Sequence, residues 1–83
     1  MLYSRLGDSG LIVSRLSLGT MTFTRGSGIA AIAKTDLKDA AALIDRALEA
    51  GINFIDTADV YSDFESEEML GKIVAGRRDE LVI

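Results

Sequence analysis

The chain reads as an α/β fold: a β-hairpin followed by three parallel strands and two helices. Three observations predict it. Two short apolar segments flank Gly7-Asp8-Ser9-Gly10, which is turn chemistry suited to a hairpin. Two stretches, about 36–50 and 65–75, carry apolar residues at helical spacing. Each is followed by a compact apolar run of strand length, Asn53-Phe54-Ile55-Asp56 and Leu81-Val82-Ile83. Strands that alternate with helices lie parallel and are joined by right-handed crossovers.

The hairpin takes residues 1–13, and the βα units take residues 15–83. Ser14-Arg15-Leu16-Ser17-Leu18-Gly19 alternates polar and apolar, a strand that ends at Gly19. Residues 20 to 35 are the least regular part. Thr20-Met21-Thr22-Phe23-Thr24 leads into the flexible turn Arg25-Gly26-Ser27-Gly28, and Ile29 to Lys34 reads as loop. Thr35 is the expected N-cap of the first helix, with Asp36 and Asp39 near the positive end of its dipole. Leu37, Ala41, Ile44 and Leu48 mark the buried face, with Ala40 and Ala47 beside them. Gly51 suits the position just past the helix end. Residues 53–56 form a buried parallel strand, and Thr57 to Phe64 a loop. The second helix runs from Glu65 to Ala75, acidic at its start, with Leu70, Ile73 and Val74 on one face and Gly76 ending it. Arg77-Arg78-Asp79-Glu80 is a solvated connection to the last strand.

Composition excludes several classes of function. The 83 residues are 48% hydrophobic and 27% charged, which suits one small globular domain and not a disordered tail. The net charge of -4 argues against binding a phosphate backbone, and Arg77-Arg78 is too short a basic run to reverse that. With no Cys and no His, the chain cannot build a disulfide, a Ser-His or Cys-His pair, or the common zinc site. No apolar run reaches membrane-spanning length, and Met1 to Arg5 lacks the pattern of a secretory signal. The expectation is a cytoplasmic protein with no metal, nucleic-acid or membrane partner.

Asp56 and Tyr61 carry the chemistry. Asp56 ends an otherwise apolar strand, and strand C-terminal ends are where ligands bind in both open and barrel-forming parallel sheets. A poorly hydrated carboxylate there wants a cation. Lys34, Lys38 and Lys72 are badly placed to supply it. Tyr61 lies five residues on. Its phenol, with an ordinary pKa of about 10, transfers protons near neutrality only beside a cation. Bland alternatives stand next to these readings. Asp56 alone could cap a helix, Tyr61 could pack as a loop aromatic, and Phe23 could face either a pocket or the core. Asp59 and Asp63 read as solvated loop acids, and Glu65, Glu67 and Glu68 as helix N-terminal charges. Without a Gly-x-Gly-x-x-Gly after the first strand, a dinucleotide-binding doubly wound sheet is disfavoured against a closed barrel.

The order Gly51, Asp56-Thr57-Ala58, Tyr61, then Glu67 through Gly71 closely resembles the signature of the aldo/keto reductases. The opening Leu6-Gly7, Ser9-Gly10-Leu11, Val13-Ser14 and Leu18-Gly19-Thr20-Met21 resembles the start of that family, and only residues 25–34 look inserted. The resemblance implies the N-terminal portion of a (β/α)8 TIM barrel that binds a nicotinamide cofactor, generally NADPH. It implies that Tyr61 donates the proton when an aldehyde or ketone is reduced to an alcohol. It implies that Asp56 pairs with a catalytic lysine, and that Gly19, Thr20 and Met21 line the nicotinamide end of the cofactor site. In the family that lysine follows the third strand, and a histidine follows the next. A barrel takes roughly 250 residues, so the expectation is an N-terminal fragment that is inactive alone, with the activity in a full-length parent. The alternative is a non-enzymatic fragment or interaction module of the same fold, whose 81–83 edge pairs with another chain. Substrate and oligomeric state stay open.

Overall fold

A computed structural model describes residues 1–24, 35–61 and 64–83. Its elements follow the order β1 (Tyr3–Arg5), β2 (Ile12–Ser14), β3 (Ser17–Gly19), α1 (Leu37–Glu49), β4 (Phe54–Asp56), α2 (Glu65–Ile73) and a 3-10 turn at Arg78–Glu80. The expected turn at 25–28 and loop at 29–34 lie outside the described residues, as does Asp63.

β1 and β2 form the hairpin, antiparallel, with Ser4 opposite Val13. It runs one residue past the expected boundary, because Ser14 pairs with Tyr3. Gly7, at φ +59°, makes the left-handed step in its loop. β3 and β4 pair in parallel, Ser17 with Phe54, Leu18 with Ile55 and Gly19 with Asp56. The third parallel strand is reduced to a single bridge, Phe54 to Val82. Val82 N–H donates to Asn53 O at 2.7 Å, and Ile55 N–H donates to Val82 O at 2.9 Å. The expected three-stranded sheet is therefore a two-stranded pair with one bridging residue on the far side of β4.

α1 begins one residue later than expected and is capped by Asp36, whose carboxylate accepts from Asp39 N–H at 2.9 Å. Thr35 is drawn into a bridge with Phe23 instead, giving its N–H to Thr22 O and taking Thr24 N–H on its own carbonyl. The buried stripe of α1 is Ala40, Ile44 and Ala47, and Leu37 is exposed, so the face sits about one position round from the expected one. α1 packs against α2, Ala40 and Ile44 sharing one core with Met69 and Leu70. In α2 the buried residues include Met69 and Leu70, with Val74 at its end. The core gathers these with Phe23, Ile55 and Leu81. Each large apolar side chain so buried contributes about 1.5–3 kcal/mol. Arg77 pairs with Asp45 at 2.6 Å and ties the end of the α2 segment back to α1.

The N-terminal end of β4 holds the hairpin. Asn53 accepts from Ser14 N–H at 2.7 Å, donates its own N–H to Ser14 Oγ at 3.1 Å, and donates Nδ2–H to Ile12 O at 3.2 Å. Tyr3 adds a hydroxyl bond to Gly51 O at 2.6 Å. Gly51 is at φ +92°, and a Cβ there would fall 2.8 Å from the Tyr3 oxygen and 2.9 Å from Met1 Cβ. Both the backbone angle and the close approach demand glycine.

Candidate active site

The register of the parallel pair sets the site. Gly19 and Asp56 are partners at the last position of β3 and β4, so the turn after β3 and the carboxylate after β4 leave the sheet at one edge. Parallel sheets collect ligands at that edge because side chains and loops converge there. Thr20 locks the arrangement. Its N–H and its hydroxyl both donate to Asp56 O, at 3.1 and 3.2 Å. Thr20 is 0% exposed, so its side chain supports the strand end and offers no surface to a ligand. Met21, 48% exposed, and Gly19, where a Cβ would meet nothing within 4 Å, are the open parts of that turn.

Asp56 itself is exposed. The expectation of a poorly hydrated carboxylate does not hold for this chain. The two-stranded pair leaves the strand end open to water, and burial alone creates no demand for a cation. Lys38 and Lys72 are exposed on their helices, and Lys34 lies outside the described residues. Tyr61 is half-buried in the loop above β4. Its N–H donates to Ala58 O at 3.4 Å, and its carbonyl accepts from Ser66 N–H at 3.3 Å. Thr57, between the two, lines a cavity of about 320 Å³ against α2 with Leu70, Val74 and Ile83. Its Oγ1 is buried without a hydrogen-bond partner.

Spacing did not reveal the polar support beneath the site. Ser66 Oγ donates to Phe23 O at 2.7 Å, and Thr24 Oγ1 donates to Glu65 at 2.8 Å, both bonds buried. Glu65, Glu67 and Glu68 sit in the first turn of α2 as expected of helix N-terminal charges, and of the three Glu65 is buried while Glu67 and Glu68 are exposed. No local pattern signals these pairs, because their partners are more than forty residues apart. Phe23 is 1% exposed and belongs to the core.

Gly19, without a side chain, and the exposed Met21 leave the turn beside Asp56 open to an approaching ligand. No group of three or more His, Cys, Asp or Glu among the described residues could hold a metal ion. No helix among them is long and apolar enough to cross a membrane.

Known proteins share this arrangement. A family model described as the aldo/keto reductase family matches residues 15–83. Norsolorinic acid reductase of Emericella nidulans is 49% identical over 77 residues, covering 90% of this chain and 20% of that protein. A protein of Oryza sativa subsp. japonica, named as a probable voltage-gated potassium channel subunit beta, is 38% identical over 100% of this chain and 24% of its own length. The solved holo form of the aldo-keto reductase AKR11C1 from Bacillus halodurans superposes with a TM-score of 0.80 at 37% identity, over 100% of this chain and 24% of that one. The chain thus spans about a fifth to a quarter of the length of the proteins it matches.

Proposed function

The chain belongs to the aldo/keto reductase family, and on that premise we propose that its strand ends form part of the site of an NADPH-dependent carbonyl reductase. In this reading the hairpin and residues 15–83 open a (β/α)8 barrel, and the substrate is a small aldehyde or ketone. The cytoplasm is its proposed location. NADPH, when bound, supplies hydride. Tyr61 holds a proton at its hydroxyl and gives it to the carbonyl oxygen, so that no alkoxide builds up. Asp56 holds a lysine ammonium against that phenol, where its charge eases departure of the proton toward the carbonyl oxygen. The chain has no histidine, so any histidine of the site would come from polypeptide outside these residues; in this reading the lysine, which follows the third strand in the family, does so too, and residues 1–83 alone should not turn over. Gly19 and Met21 line the nicotinamide end, and Thr20 supports them from below. The observation that supports the reading is the Gly19–Asp56 pairing, which sets the turn after β3 and the Asp56 side chain at one sheet edge.

The test is oxidation of NADPH by the full-length protein in the presence of an aromatic aldehyde. Wild type should show carbonyl-dependent loss of reduced nicotinamide, and Tyr61→Phe should lose it while still binding NADPH. Equal turnover by the two proteins would overturn the role of Tyr61. A second reading, a non-enzymatic fragment or interaction module of the same fold, draws on the 38% identical relative named as a probable voltage-gated potassium channel subunit beta. It predicts NADPH binding without turnover in the wild type.

A further inference from the structure

The hydrogen bonds beneath the site run as one path from Asp56 to Tyr61 without following the chain between them. Asp56 O accepts from Thr20 N–H and Oγ1–H. Thr20 O accepts from Phe23 N–H at 3.0 Å. Phe23 O accepts from Ser66 Oγ–H at 2.7 Å, and Ser66 N–H donates to Tyr61 O at 3.3 Å. Thr20, Phe23 and Ser66 are 0–1% exposed, so water does not compete for these bonds. We propose that Ser66 is a positioning residue, whose hydroxyl sets the Tyr61 loop against the Gly19–Met21 turn. This rests on the reading of Tyr61 as proton donor.

Ser66 is the point where a side chain decides the path. The Thr20 hydroxyl duplicates a bond that its own N–H already makes, and the remaining links are main-chain. Removing the Ser66 hydroxyl leaves the buried Phe23 carbonyl without that donor and frees the first turn of α2 to shift. Tyr61 moves with that turn, because its carbonyl is held by the same residue. The neighbouring Thr24–Glu65 bond keeps the helix end docked, so the expected change is a displacement and not unfolding. A proton donor displaced by a fraction of an ångström lowers the rate of transfer without weakening cofactor binding.

The experiment compares Ser66→Ala, Ser66→Thr and Ile44→Val in the full-length protein, with NADPH and an aromatic aldehyde as probes. Ser66→Ala should lower kcat about 10- to 100-fold with KM for NADPH within about twofold. Ser66→Thr keeps the hydroxyl and should recover most of that loss. Ile44→Val, at a buried core residue of α1, should lower the denaturation midpoint and leave kcat near wild type. Independently of turnover, the ring resonance of Tyr61, identified by its loss in Tyr61→Phe, should shift in Ser66→Ala and not in Ile44→Val. Wild-type kcat in Ser66→Ala, or an unmoved Tyr61 resonance, overturns the proposal. If Ser66→Ala does not fold, Ser66→Cys replaces it: the same shape, slightly larger, with a weak donor, an intermediate kcat expected, and a wild-type value overturning the proposal. If Tyr61→Phe still reduces the aldehyde, the functional reading falls, and the resonance shift alone decides whether Ser66 holds the loop.

Discussion

The two ends of β4 differ in what their polar groups do. At the N-terminal end Asn53 spends its side chain and its main chain on Ser14, Ile12 and Val82, and Tyr3 closes on Gly51. At the C-terminal end the main chain of Asp56 is held twice by Thr20, but its carboxylate faces solvent and the Thr57 hydroxyl next to it is buried and unpartnered. One strand three residues long thus carries a clamp below and chemistry above. The division fits the rule that stability in βα architectures gathers at the bottom of the strands and function at the top. Polar groups already paired within the chain have little left for a substrate, whereas those at the upper end do.

Substitution at the upper end should cost activity, and at the lower end stability. The largest effect expected is that of Tyr61→Phe, about a 100- to 10,000-fold loss of carbonyl reduction in the full-length protein, with the folded state unchanged. A matching fall in the denaturation midpoint would make Tyr61 a packing residue and erase the contrast. Asn53→Ala should do the reverse. It leaves the part-buried Ser14 amide without its partner and hands the exposed Ile12 carbonyl to water, and should cost about 1–3 kcal/mol, read from chemical denaturation. An unchanged midpoint would mean that the hairpin is not held by Asn53.

How far this contrast could be read from the sequence depends on the range of each interaction. The hairpin, both helices and the order of elements follow from local signals: Gly7 in its turn, apolar residues at helical spacing, Gly51 past a helix end. Asp56 and Tyr61 stood out by position and interval, and the family resemblance carried their roles. The misses are tertiary. Thr35 makes a good cap by type, yet its bridge to Phe23 passes the role to Asp36. Glu65 and Ser66 look like an ordinary acidic helix start, yet both are buried under the turn after β3. The carboxylate of Asp56 was expected out of water because its strand is apolar, but an apolar strand protects its end only when neighbouring strands and loops cover it.

Gly51→Ala sharpens the lower half of the comparison. The new Cβ meets the Tyr3 hydroxyl and Met1 at a backbone angle that alanine adopts only with strain. The loss should be about 1–2 kcal/mol, smaller than for Asn53→Ala because Tyr3 and Met1 are exposed and can swing aside. Pairing it with Tyr3→Phe tests the mechanism. If the clash with the hydroxyl contributes, part of the loss should disappear in the double variant. Additive losses would assign the whole effect to the backbone angle.

The smallest effect, and the one of opposite sign, belongs to Thr57. Its hydroxyl is out of water and makes no hydrogen bond, so the folded state carries a desolvation cost with nothing to offset it. Valine has nearly the same shape and removes that cost. Thr57→Val should therefore raise the stability of this chain by up to about 1 kcal/mol, read as a higher denaturation midpoint. Polar-to-apolar exchange is expected to be harmful at the lower end of β4 and favourable three residues above Phe54, which is the sharpest form of the difference between the two ends. A lower midpoint in Thr57→Val would mean that the hydroxyl finds a partner in solution, and the upper end would then be as fully paired as the lower.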